Sequence, residues 1–232
     1  KMAMTGISSL RYKYLERTEA FNENSLKSKE PFSLFREWFE EALKDPVVEE
    51  PNAMCLSTVD KNGHPSSRYV LMKGYTNEGI TFFTNYESRK AQNMLDNPHV
   101  AVNFYWFAFK RQIRIEGVVE KVSEKESEDY FRSRPIDSQM SASISQQSQK
   151  VPSRAHLDEL MKAVKVETET AGGKVPMPNW GGYLIRPHLF EFWQGQSNRL
   201  HDRIVFRRSN EAVDGTLTKQ GDNGWVFERL AP

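Results

Sequence analysis

Between residues 53 and 121 the chain strings together short β-branched and aromatic runs at close spacing. NAMCLSTVD leads into KNGHP, SSRYVLMKGYT into NEG, and ITFFTN follows. Past a short helical stretch, ESRKAQNMLDN, come HVAVNFYWFAF and RQIRIEGVVEKV. Such residues suit a pleated, half-buried surface, and Asn62-Gly63 is a strong hairpin signal. Close strands separated only by turns predict an antiparallel barrel rather than a βαβ fold.

Helices flank this block. EPFSLFREWFEEALKD sets Phe35, Trp38, Phe39 and Ala42 on one stripe, with Pro46 and Pro51 to stop it. SEKESEDYFRSR, a break at Pro135, DSQMSASISQQ and SRAHLDELMKAVKVETE form a helical insertion. A Gly- and Pro-rich loop, AGGKVPMPNWGG, then returns the chain to the strands YLIRP, LFEFWQ, DRIVFRR and WVFERL. Residues 209–224 read as a polar hairpin loop. The last strands are expected to close the sheet begun near residue 53. Residues 31–232 then form one domain, mainly β with helices (α+β). Residues 1–30 form a flexible arm with little core of its own.

Composition removes several function classes. With 232 residues and a net charge of +1, no global field favours nucleic acid or an anionic membrane. No apolar run approaches the ~20 residues of a membrane helix. The single Cys55 allows no internal disulfide and no thiolate cluster; it reads as a buried small hydrophobe in a reducing, cytoplasmic setting. The chain begins at Lys1, so an upstream targeting piece stays open. His64, His99, His156, His188 and His201 show no metal-ligand spacing, and no metal is expected. Walker A, G-x-G-x-x-G and G-x-S-x-G motifs are absent.

What remains is clusters that could hold anions. Arg68 and Lys73 bracket an apolar strand and, five apart, are expected on opposite sides of it. Ser88, Arg89 and Lys90 sit where a helix begins; basic residues there oppose the dipole unless an anion is shared with the free amides. Tyr130 and Arg134 lie one helical turn apart before Pro135, with Asp137 or Ser138 placed to cap the next helix. Gln112, Gln147 with Ser148, and Trp193 are weaker signals, each as readily structural as functional. RLHDR sets Arg199, His201 and Arg203 at alternate positions, one face of an extended strand. Charges ~7 Å apart repel by only ~0.6 kcal/mol in water but ~2.5 kcal/mol at a dielectric of 20. The row is therefore either a solvated edge or the floor of an anion site. Several separate clusters on a near-neutral chain suggest two phosphorylated small molecules rather than a polyanion.

RYVLMK, FFTNYESRKAQ, FYW, RQIRIEG, YFRSRP, SQQS, WGGY and EFWQGQSNRLHDR, in this order and spacing, resemble the pyridoxine/pyridoxamine 5′-phosphate oxidase family from about Phe35 to Pro232. The resemblance implies a Greek-key-like FMN-binding split β-barrel and a homodimer with FMN at the subunit interface. It implies oxidation of pyridoxine 5′-phosphate and pyridoxamine 5′-phosphate to pyridoxal 5′-phosphate, with O2 reduced to hydrogen peroxide, in vitamin B6 salvage. By resemblance, Arg68, Tyr69, Val70, Leu71, Met72, Lys73, Phe83, Thr84, Ser88, Arg89, Lys90, Gln112, Gln147, Ser148, Trp193 and Arg203 hold FMN. Lys73, Tyr130, Arg134 and Ser138 meet the substrate phosphate, and Arg199 and His201 act on its ring. Arg11 and Tyr14 of the arm form a lid. Phe83 stands where some members have Tyr, and Ser141 replaces a small Gly. Two alternatives share these ligands: a non-catalytic flavin- or vitamer-binding protein, and an FMN-dependent reductase of the same fold.

Overall fold

Residue 14, residues 20–209 and residues 213–232 are described by the computed structural model. They divide into a smaller unit (residues 1–51, 105–113 and 190–232) and a larger one (residues 52–104 and 114–189).

The smaller unit is organised by helix α1, Pro31–Lys44. Glu30 caps it, accepting from the backbone N–H of Phe32 and Ser33, and Pro31 occupies the first turn where a missing N–H is harmless. Asp45 ends it, before either proline is reached. The expected stripe of Phe35, Trp38, Phe39 and Ala42 is buried. Phe32 meets Phe190 edge-on at 5.0 Å and Trp38 meets Phe192 at 5.3 Å. Against the end of the long strand β7 (Trp180–Gln194) are laid β8 (Asp202–Arg208), β10 (Trp225–Arg229) and β9 (Thr218–Gln220), in that order. Residues 209–224 are therefore not all loop: β9 lies inside that segment and pairs with β10 just beyond it.

Residues 20–30, read from sequence as the end of an arm, are tied into this unit. Phe21 packs 5.2 Å from Trp38 and its N–H donates to Asp202. The Arg229 guanidinium reaches the Phe21 carbonyl, Glu23 and Asp202 together.

The larger unit begins with a hairpin, β1 (Ala53–Val59) and β2 (Pro65–Leu71), in register from Val59↔Pro65 to Ala53↔Leu71. The Asp60 carboxylate accepts from the N–H of Asn62 and His64, and Gly63 takes φ +84°, which side chains disfavour. β1 pairs on its other edge with β5 (His99–Trp106), next to β6 (Arg111–Lys121). A second hairpin, β3 (Gly74–Thr76) and β4 (Gly79–Asn85), joins β7, with Phe83 opposite Gly182 and Asn85 opposite Trp180. All the registered pairings are antiparallel.

Four helices decorate this sheet: α2 (Arg89–Asp96), α3 (Glu124–Ser133), α4 (Ile136–Ile144) and α5 (Arg154–Thr170). Three local expectations fail. YLIRP and LFEFWQ are one strand, because Pro187 removes a donor yet its fixed φ fits an extended backbone. Neither Asp137 nor Ser138 caps α4; Pro135 holds the cap position without a side-chain bond, and both residues fall in the first turn. Cys55 is half-buried rather than buried, since β1 alternates and its neighbours Met54 and Leu56 take the core positions.

Replacing fully buried Phe35 by Ala should destabilise the protein by about 3–5 kcal/mol, read by denaturant unfolding. A loss below about 1 kcal/mol would show that α1 does not anchor this core.

Candidate active site

A cavity of about 670 Å³ opens in the larger unit, within the range of small-molecule sites. β2 supplies Arg68, Tyr69, Val70 and Leu71, and the chain just past its end supplies Lys73. β4 supplies Phe83, Thr84 and Asn85; α2 supplies Lys90. The α3–α4 junction adds Tyr130, Arg134 and Ser138, and Gln147 and Trp180 complete the wall.

The Lys90 ammonium is buried, yet every partner it has is neutral. It donates to Gln147 Oε1 at 2.5 Å, to Thr84 Oγ1 at 3.1 Å and to Ser88 Oγ at 3.4 Å. Burial, and secondly the Arg68 charge, pull its pKa down to about 8. Arg68 likewise donates to the Leu56 carbonyl, Thr58 Oγ1 and Ser66 Oγ. Burial, then Arg89, depress its pKa. Arg134 lies over the Trp180 ring at 5.0 Å, and its Nη1 is buried without a hydrogen-bond partner. Burial lowers its pKa too. Among the described residues no carboxylate pairs with any of these three cations. Buried charge without an opposite charge is expensive, so the arrangement favours anions in the cavity.

The start of α2 adds to this field. Ser88 caps the helix through Ala91 N–H, and the Arg89 N–H donates to Ser148 Oγ while its own side chain stays exposed. A helix start contributes partial positive charge beside Lys90.

Two expectations about this wall need correction. β2 ends at Leu71, so strand alternation never reaches Lys73, and Arg68 and Lys73 line one cavity instead of opposite faces. Arg134 is not on a helix with Tyr130: α3 ends at Ser133 and Arg134 turns extended, yet both line the cavity. Met72, also expected at the site, is buried and does not line the cavity. Trp180, Asn85 and Ser145 line the wall without having been singled out, as does Ser141, noted only as a replacement for Gly. The signal for Trp180 was the Trp-Gly-Gly-Tyr string, whose small residues announce close packing.

The other described residues among those predicted lie in the smaller unit. The alternating row of RLHDR does not exist there, because β8 starts only at Asp202. Arg199 is in a turn at φ +69° and exposed. Arg203 is engaged by buried Glu191 (2.8 Å) and by the Ala231 carbonyl. His201 Nδ1 accepts the Gln196 N–H at 3.0 Å, so the neutral ring carries its proton on Nε2. Burial, then Arg199, lower the His201 pKa, against Asp202. Trp193 lies 5.0 Å from His201, and Tyr14 meets both rings edge-on. Gln112 is half-buried on β6. Arg11 lies outside the described residues. Among those described, no cluster of His, Cys, Asp or Glu could hold a metal, and no helix is long and apolar enough to cross a membrane.

Comparison with known proteins identifies the fold and the family. The chain superposes on the crystal structure of PhzG from Burkholderia lata in complex with tetrahydrophenazine-1-carboxylic acid. The TM-score is 0.78 at 28% identity, covering 91% of this chain and 97% of that one. A pyridoxamine 5′-phosphate oxidase-related, FMN binding protein from Nostoc punctiforme shares the fold at TM-score 0.62, 16% identity and 85% and 97% coverage. The fold is thus the split β-barrel, built mainly of antiparallel strands with several helices. Residues 39–165 match the pyridoxamine 5′-phosphate oxidase family, and residues 180–232 match the pyridoxine 5′-phosphate oxidase C-terminal dimerisation region. The pyridoxine/pyridoxamine 5′-phosphate oxidase of Bombyx mori is 52% identical, covering 97% of this chain and 89% of that protein. The pyridoxine-5′-phosphate oxidase of Bos taurus is 46% identical, at 99% and 89% coverage. The chain belongs to the pyridoxine/pyridoxamine 5′-phosphate oxidase family.

A lysine titrating near pH 8 makes ligand binding pH-dependent. Affinity for a phosphate ester should fall as pH rises through about 8, with proton uptake on binding above that pH, measured by calorimetry in buffers of different ionisation enthalpy. Lys90→Met should remove the proton uptake.

Proposed function

We propose that this chain oxidises pyridoxine 5′-phosphate and pyridoxamine 5′-phosphate to pyridoxal 5′-phosphate, using FMN and O2. The observation that carries this reading is one cavity holding two cation groups without acid partners, Lys90 with Arg68 and Arg134 beside Tyr130. One group suits the cofactor phosphate and the other the substrate phosphate.

The residues present fit FMN. Lys90, Arg68 and Arg89 supply positive charge, Thr84, Ser88, Gln147 and Ser148 supply neutral donors, and the α2 start faces the same way. When held there by Lys90, Arg68 and Arg89, FMN would supply the redox chemistry, taking two electrons from the substrate carbon and returning them to O2 as hydrogen peroxide. Residues from Arg68 to Lys73, with Phe83, Gln112, Trp193 and Arg203, complete its site in a homodimer whose interface includes the flavin. Residues 180–232 match a dimerisation region, which supports that assembly.

Arg134, Tyr130, Ser138 and Lys73 bind the substrate phosphate. At roughly −1.5 to −2 charge it is a strong remote anchor, and its binding energy orients the reacting carbon. Arg199 orients the pyridine ring and balances charge as the hydride departs. His201, neutral with Nε2–H free to donate, hydrogen-bonds a ring substituent. Arg11 and Tyr14 close over the substrate; the Tyr14 ring already lies 5.7 Å from His201. The amine substrate leaves as an imine, which water converts to aldehyde and ammonia.

Purified protein mixed with pyridoxine 5′-phosphate in air should release peroxide and the yellow aldehyde in equal amounts. Binding without peroxide would favour a carrier, and NAD(P)H consumption a reductase. Arg199→Ala should lower turnover by about 10²–10³-fold, the scale of one lost charge-stabilising group, while leaving FMN content intact. Parallel loss of turnover and flavin would contradict the substrate role.

A further inference from the structure

The guanidinium of Arg134 has one nitrogen buried without a partner, and among the described residues no carboxylate pairs with it. Yet its place is defined, because aromatic rings hold it. Trp180 lies under it at 5.0 Å and Phe131 at 5.9 Å. The same Trp180 ring stacks with Phe83 (5.4 Å, 15° between planes) and Tyr130 (6.0 Å, 11°). Phe83 and Tyr130 stack in turn at 4.0 Å. One indole therefore touches both groups proposed to meet the substrate phosphate.

The backbone explains how the indole got there. Trp180 opens β7 opposite Asn85, and two residues on, Gly182 stands opposite Phe83. A Cβ on Gly182 would come within 2.7 Å of the Phe83 ring and 2.6 Å of Val122 Cγ2. The missing side chain is what lets Phe83 lie flat between sheet and Tyr130.

We infer that Trp180, with the space left by Gly182, is a positioning residue: its role is to present the Tyr130 hydroxyl and the Arg134 guanidinium to a phosphate ester. This deepens the oxidase reading and rests on it for the identity of the ester. An ion pair would hold Arg134 too, but would neutralise the charge the ligand needs. A π-face supports the cation and leaves its hydrogen-bond donors free.

The test uses the FMN-loaded protein with inorganic phosphate as the probe, by calorimetry, and pyridoxine 5′-phosphate for kinetics. Trp180→Leu should weaken phosphate binding about tenfold and raise KM similarly, with kcat within about twofold and FMN content unchanged. Trp180→Phe, which keeps a π-face, should recover most of the loss. Gly182→Ala, which displaces Phe83 but keeps Trp180, should shift phosphate affinity in the same direction and tests the idea if the leucine variant does not fold. Unchanged phosphate affinity in these variants, a fall in kcat alone, or a loss in Trp180→Phe as large as in Trp180→Leu would overturn the inference. A wild type that makes no peroxide while the variants still lose phosphate affinity would remove the oxidase reading and leave the positioning role standing.

Discussion

Positive charge held wholly or partly out of water without a matching acid is the constraint on which the site of this molecule depends. Lys90 is buried and Arg68 and Arg134 are half-buried, and among the described residues their partners are hydroxyls, carbonyls, an amide and aromatic faces, with no carboxylate. A protein seeking only stability would pair these charges or replace them with apolar groups, since truncating or isolating a buried ion is destabilising by several kcal/mol. Their retention makes sense as a site whose missing half arrives with the ligand. Neutral partners fix the geometry of each cation and leave its field available.

The scaffold supplies that geometry from elements far apart in sequence. A tight hairpin puts Arg68 on β2, and the cap at Ser88 starts α2 where Lys90 can reach Thr84 and Gln147. The break between α3 and α4 frees Arg134 from helical geometry so that it folds over Trp180. In the smaller unit the turn before β8 does comparable work for His201, whose tautomer is set by a backbone N–H rather than by an acid. Arg229 and Asp202 hold the adjoining chain in place, joining residue 21, the turn and the last strand.

Much of this was legible in the sequence where one local rule dominated. Asn62-Gly63 announced its hairpin, and the Phe35–Ala42 stripe announced α1, because turn chemistry and periodicity act over a few residues. Family motifs then pointed to residues that line one cavity. Errors arose where element ends decided the outcome. Lys73, Arg134 and Arg199 each lie just beyond a regular element, so the two- and 3.6-residue periods used to orient them did not apply. Arg203 looked like part of a cation row because Glu191, its partner, is twelve residues away on another strand. Trp180 escaped notice because its role depends on three rings from β4, α3 and β7, a coincidence that no spacing in the chain encodes.

The most direct measurement is a crystal structure of the dimer grown with FMN and pyridoxal 5′-phosphate together. The account predicts two phosphorus positions per chain, one within hydrogen-bonding reach of Lys90 and Arg68, the other of Arg134 and Tyr130. Finding those cations instead paired with carboxylates of the partner subunit, with both phosphates bound elsewhere, would contradict it.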